Sequence, residues 1–409
     1  MFRVWYSTES LAHYVVDKTD LVALEQRGEL EFRRLHESDA IKPRYFHTVP
    51  THIKNILYLD APDLIVEQDT RPIFSLEVSQ EAGTGHNAFQ RFARIAASVE
   101  NGVPAFYVYP EGVYVQRQNS PGRWDRINPL IFRALEKMMR IYGIPSLLFY
   151  FPGEYSPQGQ PPTTARGLLY DDDSRYTSTP ESSHPEMRAL LEIINIVVDN
   201  ARRGGLSSDL IRKNEIEARR DWMYEQYIAK GGPSRQWSPL SATETVPTEL
   251  LIRHLRRYAG PSYDFSDFLS RRSETVVYKV NANFRGDPYP GALSALDYLA
   301  CREGRSYEDR HKNLAMVWGQ ISVHDGQLRI GGDEGKSVNR FVERVKQVYN
   351  DPNRSLLGKS YADLSGHEIP RYFMQVRFGT TFTKPKEIRV YAYFCDALLF
   401  HDGALWREG

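Results

Sequence analysis

Apolar and polar residues follow two periods along this chain, and the switches between them mark its elements. Across residues 8–36, Leu11, Tyr14, Val15, Leu21, Leu24 and Leu30 form an apolar stripe that predicts a helix. A mixed segment follows, and Ile56-Leu57-Tyr58-Leu59 reads as a strand. Two β-rich runs come next, Ala61-Pro62-Asp63-Leu64-Ile65-Val66-Glu67 and Ile73-Phe74-Ser75-Leu76-Glu77-Val78-Ser79-Gln80-Glu81. The polar turn Gln68-Asp69-Thr70-Arg71-Pro72 between them predicts a hairpin. Gly83-Thr84-Gly85-His86-Asn87 turns the chain into a helix over 88–99, carried by Phe89, Phe92, Ile95, Ala96 and Val99 and stopped at Asn101-Gly102. A strand at 103–109 turns at Glu111-Gly112 into Val113-Tyr114-Val115. A helix at 128–142 and a strand at 146–151 complete the series. Helix, strands with a hairpin, helix, strand, helix, strand: this order predicts a mixed α/β sheet flanked by helices.

The pattern changes after residue 151. Pro152, Pro157, Pro161, Pro162 and Pro180, with the acidic run Asp171-Asp172-Asp173, mark a linker or long functional loop. Residues 186–230 return to helical spacing through Leu190, Leu191, Ile193, Ile194, Ile196 and Val197. A second Pro/Ser/Gly-rich joint spans 231–247. Beyond it, helices alternate with hairpin-like runs at 276–280, 316–319, 388–394 and 397–400, and a helix is expected at 338–349. The expected domains are a core at 1–155, a linker at 156–185 and an α+β region at 186–409, a division that 409 residues support.

Composition narrows the function. The 52 basic and 52 acidic residues cancel, which argues against a polybasic binder but leaves room for a groove with local positive charge. Two cysteines far apart, Cys301 and Cys395, support neither a disulfide scaffold nor a zinc site. The start Met1-Phe2-Arg3-Val4-Trp5-Tyr6 lacks the pattern of a signal peptide, and no apolar run approaches the ~20 residues of a membrane span. A cytoplasmic protein without a membrane partner is expected.

The hairpin carries the candidate chemistry. Asp63 opens its first strand and Glu77 lies within its second, so pairing brings two carboxylates to one sheet edge. Mg²⁺ binds through one or two such hard ligands, retaining waters and phosphate oxygens. Alternation puts Glu77 and Ser79 on one face, with Leu76 and Val78 facing the core, and returns Glu81 to the Glu77 side. The helix that follows gathers His86, Asn87, Gln90, Arg91 and Arg94 near its start, where free N–H groups and the helix dipole favour phosphate.

Pro62-Asp63 followed by Glu77-Val78-Ser79 resembles the PD-(D/E)XK nuclease superfamily, which includes most type II restriction endonucleases. The resemblance covers residues 10–155, whose element order is similar to that superfamily's αβββαβ core. It departs at Ser79, which stands where lysine is usual. The resemblance implies a mixed-sheet, restriction-endonuclease-like α/β core with helices on both faces, plus a C-terminal α+β region for DNA recognition and dimerisation. It implies Asp63 and Glu77 as ligands of Mg²⁺, for which Mn²⁺ substitutes, and Ser79 or Glu81 as the residue positioning water. His86, Asn87, Gln90, Arg91 and Arg94 become contacts to double-stranded DNA, a homodimer the expected assembly, and Glu25 or Glu29 the glutamate that completes the site.

Other patterns carry less chemistry. Asp287 before Pro288 is a natural helix N-cap, and with Lys279 it forms the rival acidic location. Gly331-Gly332-Asp333-Glu334-Gly335-Lys336-Ser337 is one residue short of a phosphate-binding loop, since Ile330 takes the place of its first glycine. The histidines form no zinc pair and no nucleophile elbow occurs. Arg202-Arg203, Arg212-Lys213, Arg219-Arg220, Arg253, Arg256-Arg257 and Arg271-Arg272 can follow a DNA backbone or form solvated helix faces. The alternatives to an endonuclease are an inactive nuclease-fold DNA-binding subunit of a defence or repair complex, which the missing lysine favours, and a structural assembly protein.

Overall fold

The computed structural model describes residues 1–35, 49–57, 61–79, 87–117, 120–151, 176, 179, 181–234, 243–259, 270–279, 288–302, 310–317, 319–332, 337, 355–356, 359–360, 396–401 and 403–406. Two compact units divide between residues 235 and 236.

The first unit is built on a six-stranded sheet in the order β2-β1-β3-β4-β5-β8. Its strands are β1 (Phe2–Tyr6), β2 (Leu30–Arg34), β3 (Leu64–Gln68), β4 (Arg71–Val78), β5 (Ala105–Pro110) and β8 (Ser146–Phe151). β3 is antiparallel to β1 and β4, while β1–β2, β4–β5 and β5–β8 are parallel, so β3 alone runs against the other five. A separate hairpin, β6 (Gly112–Arg117) with β7 (Ser120–Arg126), follows β5. Every residue of β5, Leu64–Glu67 of β3 and Ile73–Glu77 of β4 are buried, so the central strands are covered on both faces. Phe74, Phe106 and Phe149 run across β4, β5 and β8 with ring centroids 5.8 and 6.3 Å apart.

The predicted helix at 8–36 is three elements: α1 (Glu9–Asp17), α2 (Leu21–Gln26) and strand β2. Thr19 makes the break: its hydroxyl donates to the Val15 carbonyl at 2.7 Å and accepts from the Leu21 N–H, ending one helix and starting the next. Gly28, at φ 71°, then turns the chain into β2. The apolar stripe ran on because Leu30 is buried as a strand residue. Of the strand expected at 56–59, Ile56 instead ends α3 (Thr51–Ile56), which buries Ile53, Ile56 and Leu57 at helical spacing, and Tyr58 and Leu59 lie outside the described residues. α4 (Phe92–Glu100), α5 (Leu130–Tyr142) and β8 follow the hydrophobic pattern closely.

Residues 186–234, expected in the second half, belong to the first unit. α6 (Pro185–Arg202) and α7 (Asn214–Ala229) pack on its sheet, and buried Arg219 of α7 is the fastener. Its guanidinium donates to the Leu148 carbonyl of β8 at 2.6 and 3.0 Å, pairs with Glu186 of α6, and stacks 3.6 Å from the Trp222 ring. Across the sheet, Glu67 is fully buried between Arg3, at 2.8 Å, and His52, at 2.6 Å. His52, Arg71, Asn101, Val103, Ile144 and Leu206 help line a cavity of about 400 Å³ near the start of β4.

The second unit has a five-stranded sheet in the order Gly403–Trp406, Ala397–Phe400, Asn313–Val317, Glu274–Lys279, Thr243–Pro247. Its three inner strands are parallel, and helix Pro288–Cys301 lies between the first two of them in sequence. An α+β arrangement of hairpins was expected here; the parallel pairs make this unit a mixed α/β sheet as well. Val246, Leu251, Val277, Val317 and Leu399 centre its core. The predicted elements at 338–349 and 388–394 lie outside the described residues.

Arg219→Ala is expected to destabilise the first unit by roughly 3–5 kcal/mol, as when one partner of a buried ion pair is removed. Urea denaturation followed by circular dichroism checks this; a loss under ~1 kcal/mol would show that α6 and α7 hold without it.

Candidate functional site

Two rises of similar length set the site's geometry. Ser75, Glu77 and Ser79 share one face of β4, each pair about 6.6 Å apart. Arg94 and Ser98 are one helical turn apart on α4, about 6 Å. The strand therefore matches the helix at two points: Ser75 Oγ to Ser98 Oγ at 2.7 Å, and Glu77 to Arg94. Arg94 Nη1 lies 2.6 Å from both Glu77 oxygens, and Arg91 Nε adds a contact at 3.4 Å.

Asp63 arrives from the other side of the hairpin. The register Leu64↔Leu76 continues outward to place Asp63 opposite Glu77. Its Oδ2 accepts from the Val78 N–H at 2.8 Å, and its Oδ1 and carbonyl accept from Ser7, the residue after β1. β1 and β4 point the same way, so both carboxylates sit at the carboxyl ends of parallel strands, where open α/β sheets bind ligands.

Glu77 is 2% exposed whereas Asp63 is half-buried. Burial pushes the Glu77 carboxyl up to about 7 from 4.5, with the Asp63 charge adding to the rise and Arg94 and Arg91 opposing it. The arginines keep a negative Glu77 tolerable; burial and Asp63 keep it easy to protonate. Ser79 is buried too, its N–H donating to the Val108 carbonyl at 2.9 Å and its hydroxyl 3.2 Å from the Tyr107 hydroxyl of β5. Burial first, then the neighbouring Tyr109, holds the Tyr107 phenol well above its usual range, so it remains neutral.

Several expectations change here. Arg94, expected on an exposed helix face towards DNA, is buried and faces Glu77. Arg91 is the more exposed of the two, with a side chain 37% accessible. Asn87 and Gln90 lie on a 3-10 turn (Asn87–Gln90) before α4, but their side chains, like all of Glu81 and His86, lie outside the described residues. Glu29 does not complete the site. The Glu29 carbonyl accepts from the Phe2 N–H at the start of β1, whereas Asp63 meets Ser7 beyond its end, about 16 Å along the strand.

Ser7 and Tyr107 were not singled out in the sequence. Polar residues at 75, 77 and 79 in a strand and at 94 and 98 in the next helix were the signal that those faces meet. Asp287 and Asp171-Asp172-Asp173 lie outside the described residues, as do Asp333 to Lys336 and Cys395, and the Lys279 side chain is not described. A helix begins at Pro288. Cys301 is buried against the Asn313 carbonyl. Among the described residues no three His, Cys, Asp or Glu side chains converge as a metal cluster, and no helix is long and apolar enough to cross a membrane.

Comparison of the chain with family models, curated proteins and solved structures finds no match. The chemistry of the site therefore rests on its own residues.

Glu77 gives a measurable pH dependence. Between about 4.5 and about 7 the folded protein holds a proton on Glu77 that the unfolded chain has released. Its contribution to stability is complete below that window and lost as pH rises through it. Glu77→Gln removes the titration, and the loss of Arg94's partner offsets its stability almost equally at every pH. The wild type should therefore lose up to roughly 3 kcal/mol relative to Glu77→Gln between pH 5 and 8. Parallel denaturation curves across that range would show that Glu77 stays ionised throughout.

Proposed function

We propose that this protein is a Mg²⁺-dependent endonuclease that hydrolyses phosphodiester bonds of double-stranded DNA, sequence-specific in the manner of type II restriction endonucleases. The observation that carries this reading is the meeting of Asp63 and Glu77 at the carboxyl ends of β1 and β4, with Arg91 and Arg94 beside them. The mixed sheet, with its β3–β4 hairpin followed by α4 and a parallel β5, supports it as well.

The donor set suits the metal. Two hard carboxylates from adjacent strands, one of them half-buried, leave the remaining positions of a small divalent ion to water and phosphate oxygens. Asp63 and Glu77 would hold Mg²⁺ or Mn²⁺, and the ion supplies charge stabilisation to the phosphate and acidifies the attacking water. The protein's residues supply the rest. Asp63 is aimed by the Val78 N–H and Ser7, and Tyr107 orients Ser79. Arg91 and Arg94 bring to phosphate the positive charge that Ser79 lacks. His86, Asn87 and Gln90 would contact the DNA backbone, and Ser79 or Glu81 would position the attacking water. A homodimer fits cleavage of palindromic duplex, and a cytoplasmic location fits the substrate.

One observation favours a second reading. Arg94 already occupies both oxygens of Glu77, and no lysine stands at position 79. On that reading the chain is an inactive nuclease-fold subunit that binds DNA for a defence or repair complex.

Plasmid cleavage with Mg²⁺ and with Mn²⁺ separates the two. The endonuclease predicts discrete fragments, with rates at least 100-fold lower in Asp63→Ala and Glu77→Ala. Absence of cleavage together with salt-sensitive DNA binding identifies the inactive subunit.

A further inference from the structure

Two carboxylates and two guanidiniums meet at the end of β4, so with Glu77 ionised the site is electrically balanced by the protein's own residues. Arg94 Nη1 is 2.6 Å from each Glu77 oxygen, and its side chain is 9% accessible. Arg91 Nε stands 3.4 Å from Oε1. A divalent ion at Glu77 would share the carboxylate oxygens with these guanidiniums, whose positive charge opposes it. Stripping the arginines away without replacement would leave a buried, uncompensated carboxylate, which is strongly unfavourable.

A partner that exchanges places with Glu77 removes that difficulty. Phosphate offers a guanidinium the same fork of oxygens as a carboxylate does. The two arginines differ in reach: Arg94 is deep in the first turn of α4, whereas Arg91, at its N-cap, has a side chain 37% accessible to solvent. Once the guanidiniums turn to phosphate, Asp63 and Glu77 remain as a pair with two negative charges, which a divalent cation matches.

We infer that Arg91 and Arg94 form a latch on Glu77 that duplex DNA releases, so that the divalent metal and DNA bind this site cooperatively, each raising the other's affinity. The inference rests on the nuclease reading and adds a regulation to it: the free protein holds its metal site shut. Linkage requires the two enhancements to be equal.

Equilibrium dialysis with radioactive Ca²⁺, an oxygen-seeking probe ion of the same charge, measures metal affinity with and without linearised plasmid DNA. Filter binding of that DNA with and without Ca²⁺ gives the reciprocal quantity. At least a tenfold gain in Ca²⁺ affinity with DNA is expected, and the same factor in DNA affinity with Ca²⁺. Arg94→Met should raise Ca²⁺ affinity in the absence of DNA and cut the coupling below twofold. Arg91→Gln changes a more exposed side chain and should reduce the coupling in part, which keeps the test decisive if Arg94→Met does not fold. Equal Ca²⁺ affinity with and without DNA, or coupling unchanged in the folded variants, overturns the latch while leaving the nuclease reading intact. Ca²⁺ uptake indifferent to Asp63→Ala, or no DNA binding at all, overturns the nuclease reading and the latch with it.

Discussion

Because side chains on a strand alternate between faces, a slip of one residue between β3 and β4 would turn Glu77 and Ser79 away from α4 and separate Asp63 from Glu77. The register Leu64↔Leu76 is therefore the constraint on which the site depends. Three features hold it. Ile65 and Val66 meet Ser75 and Phe74 in a strand pair buried on both faces. A bulge between Val66 and Glu67 absorbs an extra residue near the turn, away from the carboxylates. At the open end, Asp63 itself accepts from the Val78 N–H. The residue proposed to hold the metal thus also fixes the alignment of the strands that present it.

The sheet handles buried acid twice, with different results. Glu67 is enclosed by Arg3 and His52, a closed arrangement that ties β1, β3 and α3 together. Glu77 has two arginines but also a second carboxylate beside it, and Asp63 is half-buried. The first arrangement is complete as it stands. The second carries a like-charge neighbour, which adds to the rise that burial causes at Glu77 while Arg94 and Arg91 oppose it. Structural ion pairing and the carboxylate pair proposed to be reactive thus use the same residue types and differ in what else is near.

The hairpin, α4, α5 and β8 were legible because each follows one period and ends in a plain signal, such as Asn101-Gly102 after α4. Residues 8–36 misled because a strand leucine at position 30 extended a helical stripe, and the break at Thr19 depends on a side-chain hydrogen bond that no hydrophobic pattern records. Arginines on a helix read as solvent-facing by default. Arg94 and Arg219 are inside because a buried carboxylate or carbonyl awaits them, and those partners are distant in sequence. The carboxylate pair itself was visible in the chain; the guanidiniums that cover one of them were not.

The order of the strands also bears on how the chain acquires its shape during synthesis. Phe2 pairs with Gln68, and Arg219 closes on Leu148 across 71 residues. Contacts this far apart raise the contact order of the first unit, which slows folding. The β3–β4 hairpin and its carboxylates leave the ribosome early, yet β8 stays without α7 until Arg219 has been made. For that interval a nascent chain carries an edge strand that α5 covers but α7 does not yet fasten, and such incompletely covered strands are what chaperones bind.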